Sequence, residues 1–293
     1  MQIARTLDVL RTGVAKLRAK GSGAGASIGL VPTMGALHDG HLTLVRRARE
    51  HCDHVVASIF VNPTQFGEGE DLDAYPRQLE EDAGMLEAEG CALLWAPEVA
   101  EMYPQGFATS ISVSGVSEGF CGADRPGHFD GVASVVCKLF NQALPDMAFF
   151  GEKDWQQLAV IRAMARDLDL TRPHVSQIIG VPTVREADGL AMSSRNRYLS
   201  AEERAAAATL PRAMKEAIAR IEEGQEVAPT LNALEDELLG AGFSRVDYAA
   251  LADSASLAPL ERLSGSPARL LVAARIGGTR LIDNMPVNGG VGA

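Results

Sequence analysis

Four times between residues 27 and 168 a short apolar run is followed by a stretch of helical period, and this rhythm limits the fold more than any single residue does. The apolar runs are 27–31 (SIGLV), 54–61 (HVVASIFV), 91–95 (CALLW) and 146–150 (DMAFF). The helical stretches are 41–51, 77–89, 132–144 and 155–168. Runs this short read as strands, and a helix between each pair makes βαβ units, hence a parallel sheet covered on both faces. The expectation is an α/β, Rossmann-like doubly wound domain over residues 1–180. Ligands in such sheets bind beyond the carboxyl ends of the strands, near the switch in strand order. After residue 180 the rhythm changes. Two Ala- and Glu-rich helices (201–223 and 229–241) precede strand-like runs at 245–251, 268–276 and 279–284. The last two are joined by Gly277-Gly278, a hairpin signal. A smaller α+β domain over 181–293 is expected.

Charge narrows the partners. A formal net charge of −11 argues against nucleic acid, because phosphate backbones need a basic stripe. An anionic small molecule would have to be met by a local cluster of Lys, Arg, His and helix N-termini, with a metal cation to help. Cys52, Cys91, Cys121 and Cys137 are scattered without a C-x-x-C pair, which fits reduced thiols better than disulfides or zinc. The start, MQIARTLDVLRTGVAKL, lacks a signal-peptide apolar region, and no segment approaches the roughly 18 apolar residues of a membrane span. A cytoplasmic protein without a membrane partner is the expectation.

The most informative segment is 32–41, PTMGALHDGH, linking the first expected strand to a helix. Gly35 and Gly40 allow backbone N–H groups to approach a ligand, and the helix adds the positive end of its dipole. His38 and His41, three residues apart, can point into one space and donate to phosphate oxygens. The blander reading makes His38 a helix cap and His41 a structural residue. Neither G-x-x-x-x-G-K-[ST] nor G-x-G-x-x-G follows the first strand. In NPTQF, Asn62 and Gln65 follow the second strand, where uncharged amides can bind hydroxyls and a carboxylate; a turn cap is the plain alternative for Asn62. GEKDWQQ follows the fourth strand, with Lys153 suited to phosphate, Asp154 to a ribose hydroxyl or a helix cap, and Gln157 one turn further on. MSSRN places Ser193, Ser194 and Arg195 together as donors for triphosphate oxygens.

PTMGALHDGH resembles the HIGH-type motif of the nucleotidyltransferase superfamily, in the form found in the pantoate–β-alanine ligase family. SIFVNPTQF (58–66), YPR (75–77), RPGHF (125–129), FGEKDWQQL (150–158) and GLAMSSRN (189–196) resemble that family's motifs in its order. Trp155 stands where another aromatic is expected, and Arg195 replaces the Lys usual in the superfamily's mobile loop. The resemblance implies an ATP-dependent ligase that joins (R)-pantoate to β-alanine, giving pantothenate, AMP and pyrophosphate through a pantoyl-adenylate. It implies catalytic roles for His41, His38, Lys153 and Arg195. It implies an ATP site from Met34, Gly35, Ala36, Leu37, His38, Asp39, Gly40 and His41, with Gly151, Glu152, Lys153, Asp154, Val184, Met192, Ser193, Ser194 and Arg195. Backbone from Met34 to Leu37 would line the adenosine and phosphate cradle. Gln65, Gln157 and Asn62 would bind pantoate and β-alanine. Mg²⁺ should bridge phosphate oxygens, with no protein ligand identifiable; the run Glu80-Glu81-Asp82 reads as a solvated helix face. The resemblance also favours a homodimer and gives 181–293 the part of a lid. Arg125 and His128 receive no role.

Two rivals share the fold. A nucleotidyltransferase acting on a phosphorylated acceptor would need a further phosphate site, against which the amides of NPTQF speak. An ATP-sensing scaffold would bind ATP without releasing pyrophosphate.

Overall fold

The computed structural model describes residues 1–288 except Ala24, Glu68 and Ser264. The described strands are β1 (Gln2–Ala4), β2 (Ile28–Thr33), β3 (His54–Ile59), β4 (Leu93–Trp95), β5 (Met147–Gly151), β6 (Ile178–Val181), β7 (Arg245–Asp253), β8 (Ala268–Ile276) and β9 (Thr279–Val287). The helices are α1 (Leu7–Arg18), α2 (Asp39–His51), α3 (Leu79–Ala88), α4 (Val99–Met102), α5 (Cys121–Asp124), α6 (His128–Ala143), α7 (Trp155–Asp167), α8 (Ala201–Ala207), α9 (Thr209–Glu222) and α10 (Val227–Gly240).

The chain divides into two compact units. The first comprises Met1–Ser117, Arg125–Glu152 and Gln157–Pro182; the second comprises Glu118–Asp124, Lys153–Gln156 and Thr183–Ala293, whose last five residues lie outside those described.

The first unit holds a six-stranded sheet in the order β1-β4-β3-β2-β5-β6, with every described pair parallel. The α/β doubly wound expectation holds, and the sheet is wider than the four strands read from the sequence. β1 and α1 are additions to that reading. The strand is three residues long, and it gains its place only by pairing with β4 at the sheet edge. α1 buries Leu10, Val14 and Leu17, a helical stripe facing the core. β6 is a four-residue edge strand paired with β5. Between them, β2 through β5 carry continuous buried runs, as strands covered on both faces must. Chain order reverses at β2, which has β3 on one side and β5 on the other.

In the second unit β7-β8-β9 form an antiparallel sheet, with β8 and β9 joined through Gly277-Gly278 as the hairpin signal indicates. Its core packs Leu210, Met214, Leu234 and Leu238 with Leu270, Val272 and Ile276. The single helix expected over 201–223 is two, broken at Ala208. Pro211 has no N–H to give the Ala207 carbonyl, so it sits in the first turn of a new helix, where that loss costs nothing.

Candidate active site

β2 ends at Thr33, at the switch in strand order, and side chains build the turn that follows. The Thr33 hydroxyl donates to the Ser58 carbonyl (2.7 Å) and accepts from the Gly35 N–H (3.3 Å), tying the ends of β2 and β3 together. Gly35 (φ 86°) and Ala36 (φ 51°) both take the left-handed conformation, natural for glycine and unfavourable for alanine. Asp82 of α3 reaches this turn. Its Oδ2 accepts from the Ala36 N–H and its Oδ1 from the Leu37 N–H, each at 2.9 Å, while Gln78 Nε2 donates to Oδ1 at 3.2 Å. Asp82 is 1% exposed, so the acidic run read as a solvated face is buried at that residue. The Ala36 and Leu37 N–H groups are therefore committed to a carboxylate. Those two donors do not belong to the phosphate cradle expected from Met34 to Leu37.

α2 opens with a reciprocal cap. His38 Nδ1 accepts from the Gly40 N–H (3.2 Å), and His41 Nδ1 accepts from the His38 N–H (3.4 Å). Their ring centroids lie 4.1 Å apart. With Nδ1 accepting, each neutral ring carries its proton on Nε2. The cap reading and the phosphate reading are thus not rivals, since the cap uses Nδ1 and an anion would take Nε2–H. Asp39, in the first turn, pairs with Arg46 at 2.8 Å.

The NPTQ segment forms a 3-10 turn, Pro63–Gln65, capped by Asn62. Asn62 is 1% exposed and its amide is fully engaged. Oδ1 accepts from the Thr64 N–H (3.3 Å), the Thr64 hydroxyl (2.9 Å) and the Tyr103 hydroxyl (2.8 Å). Nδ2 donates to Gln65 Oε1 (3.1 Å) and the Gly131 carbonyl (3.2 Å). The plain reading, a turn cap, describes Asn62 better than substrate binding does. Gln65 is different: its Nε2 lies 3.1 Å from Met34 Sδ, so two motifs 31 residues apart meet here.

Arg125 and His128 gain a role. His128 Nδ1–H donates to the Gln65 carbonyl (2.7 Å), and its Nε2 accepts from Arg125 Nη1 (3.1 Å). Arg125 also donates to the Gln65 carbonyl (3.2 Å) and pairs with Glu70. Burial pushes the Glu70 carboxyl up, but the adjacent guanidinium outweighs it and the group sits below its ordinary range. The pair clamps the backbone that carries Gln65. α6 approaches the same turn so closely that a Cβ on Gly131 would meet the Thr64 carbonyl oxygen at 2.3 Å. Gly151, Glu152 and Gln157 complete the candidate residues of the first unit, around the end of β5 and the start of α7.

Lys153, Asp154, Val184, Met192, Ser193, Ser194 and Arg195 belong to the second unit. Lys153 Nζ lies 3.7 Å from Asp154 Oδ2. The Lys153 carbonyl accepts from Asn284 Nδ2 (2.8 Å), and Asn284 Oδ1 in turn accepts from Arg269, whose guanidinium stacks 3.6 Å from the Trp155 ring. The neighbouring Asp283 takes Arg185 through both oxygens (2.6 and 2.9 Å). Arg185 pairs across a small hairpin with Ala191, and the Met192 N–H donates to the Val184 carbonyl (3.0 Å). Asp283-Asn284 on β9 therefore anchors both the Lys153 segment and the loop leading into MSSRN. Ser193 caps the 3-10 turn Ser194–Tyr198, its oxygen accepting from the Arg195 N–H (3.3 Å), which leaves its O–H as a donor group.

Asp82, Gly131, Arg185 and Asp283-Asn284 support the candidate segments, and sequence reasoning misses them in that part. Asp82 leaves a trace: it stands one turn before Leu86, and both are buried on the same face of α3. No local signal marks the others, because their partners are 67 to 131 residues away.

Cys52, Cys91 and Cys121 are buried. Burial pushes the Cys52 and Cys91 thiols up to about 11, which keeps them protonated at neutral pH and unfit as nucleophiles.

Residues 2–286 match the family model for pantoate-beta-alanine ligase. The chain belongs to that family. It is 67% identical over 98% of its length to the pantothenate synthetase of Novosphingobium aromaticivorans, of which 99% is covered. Among solved structures it resembles the pantothenate synthetase of Thermus thermophilus (48% identity, TM-score 0.89, 98% of this chain and 100% of that one). It also resembles the pantoate–β-alanine ligase of Francisella tularensis complexed with βγ-ATP and β-alanine (31% identity, TM-score 0.81, 97% of each chain). For a member of the pantoate–β-alanine ligase family, the resemblance drawn from six short motifs extends over the whole fold.

Proposed function

We propose that this protein is an ATP-dependent ligase that condenses pantoate with β-alanine, releasing AMP and pyrophosphate by way of a pantoyl-adenylate. The observation that carries the chemistry is the reciprocal capping of His38 and His41 at the N-terminus of α2. In this reading each imidazole carries its proton on Nε2, at the end of the sheet where such folds take their ligands.

A carboxylate is a poor electrophile, because its charge repels nucleophiles and oxide is a poor leaving group. Attack of a pantoate carboxylate oxygen on the α-phosphorus of ATP breaks the bond to the bridging oxygen, and pyrophosphate leaves with the electron pair. The β-alanine amine then attacks the acyl carbon, AMP departs, and the amine loses a proton. No covalent nucleophile from the protein is required, only positioning and charge stabilisation. In this reading His38 and His41 donate Nε2–H to phosphate oxygens, and Lys153, Ser193, Ser194 and Arg195 serve the same triphosphate. Gln65 and Gln157 orient pantoate and β-alanine. Asn62, Arg125 and His128 act through Gln65 by holding its turn.

Among the described residues no cluster of three His, Cys, Asp or Glu side chains could hold a metal ion. Asp82 is 1% exposed, and its oxygens accept from two backbone N–H groups and the Gln78 amide. We therefore treat Mg²⁺ as part of the substrate, arriving on ATP with water and phosphate ligands. No described helix is long and apolar enough to cross a membrane. The cytoplasmic assignment rests on the free, scattered cysteines, which suit a reducing compartment. The homodimer rests on family resemblance, and light scattering at twice the 31.0 kDa chain mass would mark it.

Rapid-quench measurement with ATP and pantoate, omitting β-alanine, should give a burst of pyrophosphate and an enzyme-held adenylate. Absence of the burst would refute the two-step scheme. A phosphorylated acceptor that released pyrophosphate where pantoate did not would favour the nucleotidyltransferase rival.

A further inference from the structure

We propose that Asp82 is a positioning residue that orients the Gly35 and Ala36 carbonyls as acceptors for the nucleoside part of ATP. This inference rests on the adenylation reading above. Its two bonds to the loop determine more than stability. A trans peptide unit is planar, with its N–H and C=O on opposite sides. The Ala36 N–H points at Asp82 Oδ2, so the Gly35 carbonyl in the same peptide unit points away from α3. The Leu37 N–H points at Oδ1, so the Ala36 carbonyl does likewise. Two consecutive carbonyls then face one way, at the turn after the central strand.

Such a pair repels anions and accepts from hydroxyl and amino groups. The triphosphate is excluded from that stretch, whereas ribose hydroxyls and the exocyclic amine of adenine suit it. Donors for phosphate follow further along the loop, with the capped imidazoles of His38 and His41. Asp82 thereby divides the loop into a nucleoside end and a phosphate end.

The arrangement is held against cost at two points. A carboxylate that is 1% exposed needs hydrogen bonds to offset lost hydration, and here two backbone N–H groups and the Gln78 amide supply them. Ala36 is held in the left-handed region that disfavours a side chain. At Gly35 a Cβ would come within 3.0 Å of Asp82 Oδ2. The loop thus takes this shape because the carboxylate is there.

The test is pantoate-dependent exchange of pyrophosphate into ATP by wild type and by Asp82→Asn. The carboxamide turns an N–H donor toward one of the two backbone donors, releasing that peptide. The KM for ATP should rise about tenfold or more, the factor set by losing a hydrogen bond to a charged group, with the KM for pantoate unchanged. Adding Ala36→Gly to Asp82→Asn should recover part of the ATP KM, because glycine takes the left-handed turn unaided. A folded Asp82→Asn enzyme with an unchanged ATP KM overturns the proposal, as does an equal loss toward both substrates that glycine does not relieve. Should circular dichroism show Asp82→Asn unfolded, Asp82→Glu, which keeps the charge but displaces it, is measured against the same criteria. If wild type shows no exchange, the ligase reading fails, and calorimetric ATP affinity of wild type against variant decides the role of Asp82 by itself.

Discussion

His41 Nδ1 accepts the His38 N–H and helps start α2. In the mechanism proposed above, the same ring serves a second purpose by donating from Nε2 to a phosphate. The two losses on His41→Ala differ in size. Removing a cap costs about 1 kcal/mol, which a folded domain survives. Removing a donor aimed at developing charge slows the chemical step by about 10² to 10³. His41→Ala should therefore melt a few degrees lower yet form adenylate about 10²-fold more slowly or worse in single turnover. Normal turnover would remove His41 from the mechanism. Asn62 teaches the opposite lesson. An amide after a strand looks available to substrate, yet all its hydrogen-bonding capacity goes to Thr64, Tyr103, Gln65 and Gly131.

At the scale of elements, the close contact between α6 and the Pro63–Gln65 turn positions Gln65. Gly131 permits the approach, and Arg125 and His128 at the start of the helix clamp the Gln65 carbonyl. Gly131→Ala puts a methyl group where the Thr64 carbonyl lies, so the turn must retreat from α6. A displacement of about 1 Å can cost about 10² in rate, so kcat/KM for pantoate should fall by about that factor and the ATP KM change far less. Steady-state kinetics against each substrate check this; equal losses for both would mean a general packing defect. In the second unit β9 plays the corresponding part. Asp283 and Asn284, adjacent and buried, face Arg185 and the Lys153 carbonyl, giving two candidate phosphate-binding segments one support.

At the scale of the molecule, a chain with net charge −11 has to bind a triphosphate, so cations and N–H donors must be concentrated locally. The candidate donors are divided between two compact units, with the imidazoles in one and Lys153 and Ser193-Ser194-Arg195 in the other. We propose that the second unit acts as a lid, its MSSRN loop shielding the adenylate from water. Hydrogen exchange of residues 192–196 should slow when ATP is added, and equal exchange with and without ATP would count against a lid.

The sequence by itself determined the class of fold, the change of architecture after residue 180 and the short motifs by which the chain resembles its family. Each depends on neighbours a few residues apart: apolar period, a Gly-Gly hairpin, paired histidines ahead of a helix. It did not reveal β1 or β6, because strands of three and four residues have too little period to read and exist only through their pairing. Nor did it settle that the Asn62 amide caps a turn, or that Asp82 is buried against a loop instead of lying in solvent. Those assignments belong to tertiary structure, because hydrogen-bonding capacity is shared out among groups that meet only once the chain has folded. Asp82 and Ala36, 46 residues apart, are such a pair.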